Sequence, residues 1–257
     1  AKLAYLGVVD LDAPIATYLP RFANDAYRDV TLRRLLSHTS GLRIGPIFLE
    51  PLSSRSDALP NGPTLQSEVD RFADQPIAVA PGTSYSYNNA GYNIVGAALE
   101  RATRQPLERL FQEHFYEPLQ MRDTAHVDRS GLTERRAAIA TRRDKQWTRT
   151  WKPGDPPKYP FVRASGGMLT TAADYARFLQ MFLNQGQYDG RTILHSSSVR
   201  ETTRAVTRDI YGRDELAKQT AFYGLGWQVA ANGACFHGGS DGTYAWFDPE
   251  HELLGAV

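Results

Sequence analysis

The sequence predicts an α+β fold, in which helices pack on an antiparallel sheet. Two observations carry this prediction: amphipathic helical patterns fill the middle of the chain, and short aromatic-rich segments separated by turn residues fill its last part. Helices followed by strands are typical of the α+β class and differ from the alternation of strands and helices that builds a parallel sheet.

The clearest helix lies around residue 178. Its apolar residues recur at i, i+3, i+4, i+7 and i+8, which is one face of a helix. Thr171 and Asp174 form a capping-box-like start, and Gly186 provides a stop. The apolar face consists of Tyr175, Phe178, Leu179, Phe182 and Leu183.

Two further helices are predicted upstream. One spans residues 89–103, and a third follows Pro106, which is well placed as a first helical residue. The inward residues of the 89–103 helix are Ile94, Val95, Ala98, Leu99 and Ala102, and those of the third are Leu107, Leu110 and Phe111.

The C-terminal segments predict an antiparallel meander. Asn232-Gly233 is a type I′ hairpin signal and Asp248-Pro249 marks another turn. The predicted strand segments are 222–229, 234–237, 243–247 and 253–257.

Two long segments are predicted as surface loops: 50–64, rich in proline and serine, and 142–160, dense in charge and proline. Loops of this length are uncommon inside a compact domain and often border a site.

The composition is that of an ordinary globular domain, with 42% apolar and 11% aromatic residues. The 29 basic and 28 acidic side chains give a net charge of +1, which implies neither nucleic acid nor a membrane surface as a partner. No run of 18 apolar residues occurs, so no transmembrane segment is predicted. The single cysteine, Cys235, excludes an internal disulfide and a multi-thiolate zinc site.

Signatures of cofactor chemistry are missing from the sequence. No G-x-x-x-x-G-K-[ST] or H-E-x-x-H segment occurs, and Gly224-x-Gly226 lacks the third glycine of a dinucleotide fingerprint. The six histidines include no i, i+4 pair. We therefore expect neither a cofactor nor a metal.

Residues 238–242, Gly-Gly-Ser-Asp-Gly, match the G-x-S-x-G pattern of α/β-hydrolases. In that class the serine stands between a strand and a helix, and an acid and a histidine follow later in the chain. Here a predicted strand follows Ser240, and His251 lies in the next turn. The segment is interpreted as a glycine-rich bend between strands, with a nucleophilic Ser240 as the alternative.

A tyrosine-rich segment, residues 81–92, leads into the 89–103 helix. Tyr87 lies just before the N-terminus of this helix, where positive potential favours the phenolate form. Asn89 is placed either to cap the helix or to point its amide into a cleft. Taken alone, the segment also fits a tyrosine-rich loop with an asparagine cap.

Six segments in order along the chain carry a resemblance to a known family. They are 7–14 with Tyr18-Leu19-Pro20, Leu-Leu-Ser-His-Thr-Ser-Gly-Leu at 35–42, the segment 81–92, Ser-Gly-Gly-Met-Leu-Thr-Thr-Ala-Ala-Asp at 165–174, Tyr-Gly-Leu-Gly-Trp at 223–227 and His-Gly-Gly at 237–239. This series resembles the serine β-lactamase-like superfamily, which includes penicillin-binding proteins, DD-peptidases, class C β-lactamases and related esterases.

The resemblance implies roles for the matching residues. Tyr87 takes the place of the family tyrosine that shuttles a proton from nucleophile to leaving group, and Asn89 that of the asparagine that binds substrate or fixes the lysine. His237 takes the strand position at which many members have a lysine. The neighbouring groups implied to face substrate are Gly238, Gly239 and the backbone N–H of Ser240, an oxyanion donor.

The family's S-x-x-K motif, which supplies the nucleophile and its basic partner, is absent from the 257 residues. Lysines stand at 2, 145, 152, 158 and 218, and none follows a serine by three positions. Because the family has the motif upstream of the segment matching 7–14, we expect it before Ala1 and interpret the chain as an internal piece that also lacks a last strand and helix. We expect this piece to be catalytically silent and, with an apolar sheet face exposed, poorly soluble.

The resemblance implies an α/β-sandwich architecture within one domain, 1–257. A mostly helical part spans 31–215, and 1–30 with 216–257 belong to an α/β part. The cleft between the two parts is where Tyr87 and His237 are expected to converge.

The implied function is a serine hydrolase that forms an acyl-enzyme on an ester or amide, as an esterase, a β-lactamase or a D-amino-acid peptidase. His237 is largely neutral at pH 7, which favours an ester or peptide over penicillin. The alternative is a non-catalytic member of the same fold that binds cell-wall peptide or a protein partner. Substrate, oligomeric state and compartment, whether periplasmic, secreted or cytoplasmic, stay open.

Overall fold

The structure, a computed structural model, describes residues 1–44, 64–126, 132–155 and 161–257. The α-helices within these ranges are α1 (Lys2–Tyr5), α2 (Leu32–Leu36), α3 (Leu65–Asp70), α4 (Asn89–Thr103), α5 (Leu107–Phe111), α6 (Ala172–Leu183), α7 (Ser196–Thr203) and α8 (Arg213–Leu216). No helix in the described ranges has the length and apolar character needed to cross a bilayer.

The strands in these ranges form antiparallel sheets. Two are two-stranded hairpins, and the third is a five-stranded meander in the order β5-β6-β7-β8-β9. The strands are β1 (Ile139–Arg143), β2 (Gln146–Trp151), β3 (Gln187–Tyr188), β4 (Arg191–Thr192), β5 (Ala221–Tyr223), β6 (Gln228–Ala230), β7 (Cys235–Gly238), β8 (Tyr244–Asp248) and β9 (Leu253–Ala256). The α+β class and the C-terminal meander predicted from the sequence are confirmed.

The predicted helices are present, with corrections at two caps. The Thr171 side chain accepts a hydrogen bond from the Asp174 N–H at 3.2 Å and so begins α6. The predicted capping box is only half formed, because the Asp174 carboxylate accepts from the Asp123 N–H at 2.7 Å instead. Pro106 was predicted as the first residue of its helix, but it is the N-cap of α5, and the helix begins one residue later, at Leu107.

The predicted 222–229 strand is wrong, because the structure divides it into the antiparallel partners β5 and β6. The Gly224 N–H donates to the Trp227 carbonyl at 2.8 Å and closes the turn between them. Gly226 has a φ of +106°, which glycine adopts without strain. Aromatic residues continue through this turn, so the sequence pattern does not reveal it.

The hairpin at Asn232-Gly233 is present, but the predicted type I′ turn is wrong. That turn requires a positive φ at both central residues, and of these two only Gly233 has one, +87°. Instead, the Gly233 N–H bonds to the Ala230 carbonyl at 3.0 Å, and Asn232 Oδ1 accepts from the Ala234 N–H at 3.2 Å. The loop is therefore a turn followed by a left-handed glycine.

The predicted 142–160 loop is largely a β-hairpin over its described part. Strands β1 and β2 pair with Arg142 opposite Trp147. Asp144 and Lys145 have φ values of 48° and 66°, as a two-residue hairpin turn requires. A loop was predicted from the charged residues and prolines of this segment, but its threonines and tryptophans favour strands. Residues 156–160, and 50–63 of the other predicted loop, lie outside the described ranges.

The buried apolar side chains form two clusters. The first joins the N-terminal segment to α2, α3 and α4, and the second packs α6 on the five-stranded sheet. In the second, the ring centroid of Phe182 lies 5.5 Å from that of Trp227 and 5.3 Å from that of Phe247. Leu225 belongs to the first cluster and Trp227 to the second, so the β5–β6 turn joins the two cores.

Candidate active site

Aromatic rings from four separate segments meet around Tyr87. Its ring centroid lies 4.3 Å from that of His38, 6.0 Å from that of His237 and 6.3 Å from that of Tyr223. His38 follows α2, Tyr223 ends β5 and His237 lies in β7. The predicted convergence of Tyr87 and His237 is therefore observed. We call Tyr87, His38, Tyr223, His237, Tyr85 and Tyr92 the ring cluster.

His38 holds the backbone on both sides of Tyr87. Its carbonyl accepts a hydrogen bond from the Ser86 N–H at 2.9 Å, and its Nδ1 accepts one from the Asn88 N–H at 3.0 Å. To do so, His38 adopts a left-handed backbone with a φ of 58°. Because Nδ1 accepts, the proton of the neutral ring is on Nε2, which is buried and has no hydrogen-bond partner in the described ranges. His38 thus fixes the position from which the Tyr87 side chain extends.

The environment of His38 keeps its ring neutral. Burial, and secondarily the nearby imidazole of His237, lower the pKa of His38 to about 3, against the opposing effect of the Asn88 hydrogen bond. A neutral ring 4.3 Å from Tyr87 adds no positive charge that would favour a phenolate.

Tyr87 itself is half exposed, so its hydroxyl is available to a ligand. Burial of the rest of the ring raises the pKa of Tyr87. Loss of hydration thus opposes the phenolate, whereas the positive potential of the helix N-terminus favours it, so that expectation stays a prediction. Tyr87 is a neutral phenol at pH 7 here.

His237 is held by hydrogen bonds at both ring nitrogens. Its Nδ1 lies 2.8 Å from the Gly238 carbonyl oxygen and its Nε2 lies 2.9 Å from the Tyr223 hydroxyl. A carbonyl oxygen only accepts, so Nδ1 carries a proton and Nε2 of the neutral ring accepts from Tyr223.

The Tyr223 hydroxyl can serve either protonation state of His237. A hydroxyl both donates and accepts, so Tyr223 donates to Nε2 of the neutral ring and its oxygen can accept from a protonated Nε2. Neutral and charged His237 therefore both keep their hydrogen bonds at the two ring nitrogens. In the same ring cluster, the Tyr92 hydroxyl donates to the Leu36 carbonyl at 2.7 Å.

Asn88, not Asn89, caps helix α4. Its side-chain oxygen accepts from the Ala90 N–H at 2.9 Å and its amide donates to the Leu42 carbonyl at 2.9 Å. The cap alternative considered for Asn89 is therefore wrong. Asn89 is the first helical residue and is partly exposed, two positions after Tyr87.

Ser240 lies in the turn between β7 and β8, not between a strand and a helix. Its hydroxyl is exposed and lies 3.5 Å from Asp241 Oδ1. The α/β-hydrolase alternative lacks the elbow it requires. At Gly239 a Cβ atom would lie 2.2 Å from Thr243 Oγ1, so the hairpin itself favours glycine there. Gly238 and Gly239 are exposed beside His237.

A buried polar network supports the segment that contains Ser165. Glu68 and Arg163 form an ion pair at 3.2 Å, both almost fully buried. Asn93 of α4 donates to Glu68 at 2.9 Å and accepts from the Ser165 N–H at 3.1 Å. Burial raises the pKa of Glu68, and the charge of Arg163 opposes that rise. The network ties the 165–167 segment to the helix that follows Tyr87.

The sequence assigned no role to His38 or Tyr223, although each lies in one of the six segments that carry the resemblance. A histidine within a Ser-His-Thr-Ser-Gly turn, whose small polar neighbours predict irregular backbone, was the available signal for His38. Nothing local to Tyr223 predicts its partner, because the hydrogen bond to His237 crosses from β5 to β7. In the described ranges no group of His, Cys, Asp or Glu side chains is arranged to hold a metal ion.

Solved structures similar to this one include β-lactamase-like and penicillin-binding proteins. A hydrolase with promiscuous acyltransferase activity, EstCE1, has a TM-score of 0.78 at 20% identity and covers 100% of this chain and 74% of its own. A putative β-lactamase from Bacteroides dorei has a TM-score of 0.69 at 26% identity, over 96% of this chain and 69% of its own. The predicted fold class is confirmed.

The family described as Beta-lactamase matches residues 1–257, and this chain belongs to it. Protein Rv1367c of Mycobacterium tuberculosis is 30% identical over 232 residues, which is 86% of this chain. Esterase EstB of Burkholderia gladioli is 36% identical over 137 residues, covering 49% of this chain and 34% of its own. The D-alanyl-D-alanine-carboxypeptidase/endopeptidase AmpH of Escherichia coli is 27% identical over 90% of this chain. The chain spans 57% of the length of the mycobacterial and Escherichia coli relatives.

Proposed function

We propose that this protein is a serine hydrolase that cleaves an ester or a peptide through an acyl-enzyme, with Tyr87 as the proton shuttle and His237 beside it. The ring cluster carries this proposal. The C-terminal sheet brings Tyr223 and His237 beside Tyr87, which lies more than 130 residues earlier in the chain, and Tyr87 is left half exposed to a ligand.

The proposed chemistry follows from the protonation states in the cluster. A serine hydroxyl is a poor nucleophile until a neighbouring group accepts its proton. Tyr87 is a neutral phenol, so it can accept the serine proton only as it gives up its own phenolic proton. We assign His237 as the group that takes up this phenolic proton and later returns it, because both protonation states of its ring are hydrogen-bonded. We assign Asn89, Gly238, Gly239 and the Ser240 N–H to substrate contact.

The substrate class rests on His237 and on the relatives. A histidine in place of the fixed positive charge of a lysine does not demand a carboxylate on the substrate. An esterase and a D-alanyl-D-alanine carboxypeptidase are among the similar proteins. We infer an ester or a D-amino-acid peptide rather than a penicillin.

These 257 residues contain no Ser-x-x-Lys sequence, so this proposal assigns them no nucleophile. The chain alone is expected to be silent towards a fluorophosphonate probe, which reacts with activated serines. Joining a Ser-x-x-Lys helix from a family member ahead of Ala1 is expected to give labelling at the added serine.

Two substitutions sharpen this experiment. In the extended chain, Tyr87→Phe is expected to slow labelling by about a hundredfold or more, as loss of a general base does, whereas Tyr5→Phe is the matched control.

Labelling of the chain alone that disappears in Ser240→Ala would establish the α/β-hydrolase alternative. An extended, folded chain that binds an N-acyl-D-alanyl peptide but is never labelled would establish the non-catalytic alternative.

A further inference from the structure

The β1–β2 hairpin is a basic and largely exposed element of the described ranges. Residues 140–143 and 146–150 are exposed on both faces of this ribbon. The described segment 132–155 carries seven basic and three acidic side chains, a formal charge of +4. The remainder of the chain carries 22 basic and 25 acidic side chains, a formal charge of −3. The net charge of +1 therefore conceals a separation of charge.

The basic side chains near the hairpin turn have no acidic partner among the described residues. Arg142, Arg143, Lys145 and Arg149 are all exposed, and none forms an ion pair there. The basic groups at the base of the segment differ: Arg135 pairs with Asp123 at 2.6 Å. The turn therefore carries four exposed basic side chains within eight residues that form no ion pair with the described residues.

An exposed indole lies among these charges. Trp147 is 70% exposed, and the Arg142 guanidinium carbon lies 6.0 Å from its ring centroid. Arg142 is directly opposite Trp147, and Arg149 is two residues further along β2, so all three share one face. Trp151, at the base of β2, is buried in the protein, whereas Trp147 is largely exposed and does not contribute to the core.

We propose that the hairpin turn docks on an anionic lipid bilayer surface. Basic side chains are attracted to the negative headgroups, and tryptophan is enriched at the boundary between headgroups and hydrocarbon. A ribbon with two uncovered faces and a two-residue turn can enter such a surface by its tip. A soluble anionic polymer without aromatic rings, such as a sulfated polysaccharide, accounts for the arginines but not for the exposed indole between them.

Vesicle sedimentation tests this proposal with the chain as it is. The chain is expected to bind vesicles that contain phosphatidylglycerol and not vesicles of phosphatidylcholine alone, and binding should weaken with added salt. The variant R142Q/R143Q/K145Q is expected to bind on the order of a hundredfold more weakly, since each basic group at an anionic leaflet contributes about a factor of five. The matched control R191Q/R200Q/K218Q removes the same charge from exposed positions elsewhere and should bind as the parent chain does.

Tryptophan fluorescence separates lipid from polymer. On vesicles the emission of Trp147 is expected to move to shorter wavelength, and W147F should lose that shift while retaining the fold seen by circular dichroism. The proposal is overturned if no vesicle binds, or if the tip and control variants weaken binding equally. It is also overturned if dextran sulfate binds as tightly as the vesicles and the indole emission does not move on lipid.

Discussion

His38 is the residue on which the geometry around Tyr87 most depends. Its carbonyl and its Nδ1 bind the N–H groups on either side of Tyr87, at 2.9 and 3.0 Å. This role could not be predicted from the sequence, because it depends on a left-handed φ and on a contact across 50 residues. The motif at residues 35–42 indicated an irregular turn around His38 but not its hydrogen bond with Asn88.

The buried neutral ring of His38 predicts that stability falls in acid. Burial lowers the pKa of His38 to about 3, so between that value and about 6.5 the unfolded chain binds the extra proton. Stability is complete above about pH 6.5 and is lost as the pH falls towards 3. His126, whose pKa burial lowers to about 4, acts in the same direction.

Urea unfolding at a series of pH values measures this effect. Between pH 6.5 and 4.5 the free energy of unfolding of His38→Gln should fall by about 2–3 kcal/mol less than that of the parent chain. The exposed His251 provides the control, since His251→Gln removes a titrating group that is not buried. Equal slopes for His38→Gln and the parent chain would contradict the assignment.

Tyr223 predicts a second effect at the residue scale. Tyr223→Phe keeps the ring but removes the hydroxyl 2.9 Å from His237 Nε2. We expect a loss of about 1 kcal/mol in the free energy of unfolding, and a smaller population of the Nδ1–H tautomer of His237. Nitrogen-15 NMR of the imidazole reports the tautomer.

Tyr85→Phe is the control for this experiment, because Tyr85 lies in the same ring cluster and its hydroxyl makes no hydrogen bond to a described residue. If the two variants leave the tautomer populations of His237 equal, Tyr223 does not orient that ring.

At the scale of elements, the turn that follows α6 brings Gly186 close to Leu194, which lies in the connection between β4 and α7. Gly186 has a φ of +93°, and a Cβ there would lie 1.8 Å from the Leu194 carbonyl oxygen. Gly154 has nearly the same φ, +92°, but apart from its chain neighbours no described residue has an atom within 4 Å of a Cβ placed there. Comparing substitutions at the two glycines therefore separates the cost of a positive φ, which both share, from the cost of a close contact, which only Gly186 has.

Replacing these glycines by alanine tests the packing of α6. Gly154→Ala is expected to lower the free energy of unfolding by about 1 kcal/mol, and Gly186→Ala by about 3 kcal/mol or more, because backbone has to move. Chemical denaturation measures both values. Similar losses would show that the approach of Leu194 to Gly186 is not the determining contact.

Elements whose signal is local were predictable. Helix α4 spans the predicted 89–103, because a periodic apolar stripe requires no distant information. Helix α6 packs its predicted face on the second core cluster, where Leu179 and Phe182 are buried, and it also buries Met181, which the stripe did not include. The β1–β2 hairpin was missed because its charges resemble those of a loop, and its turn uses Asp144 and Lys145 instead of glycine. The 222–229 strand was split because its turn lies inside an aromatic run.

At the scale of the whole molecule, order along the chain was more informative than any single motif. Six short segments in family order predicted the fold, and the family match over residues 1–257 confirms the resemblance. The net charge gave no indication of the basic hairpin, since a sum over the chain does not record where charge lies. The division into parts 31–215, 1–30 and 216–257 stays a prediction, as does poor solubility.

The central claim is that the ring cluster around Tyr87 and His237 receives the substrate. The most direct test is an NMR titration of the histidine ring signals with N-acetyl-D-alanyl-D-alanine and with its methyl ester. His195, stacked on Tyr5 with ring centroids 4.3 Å apart, is an internal control in the same spectra. We predict saturable shifts of the His237 and His38 signals, no shift at His195, and loss of the response in Tyr87→Ala. Signals of His237 and His38 that neither ligand moves, or that move equally in Tyr87→Ala, would contradict the account.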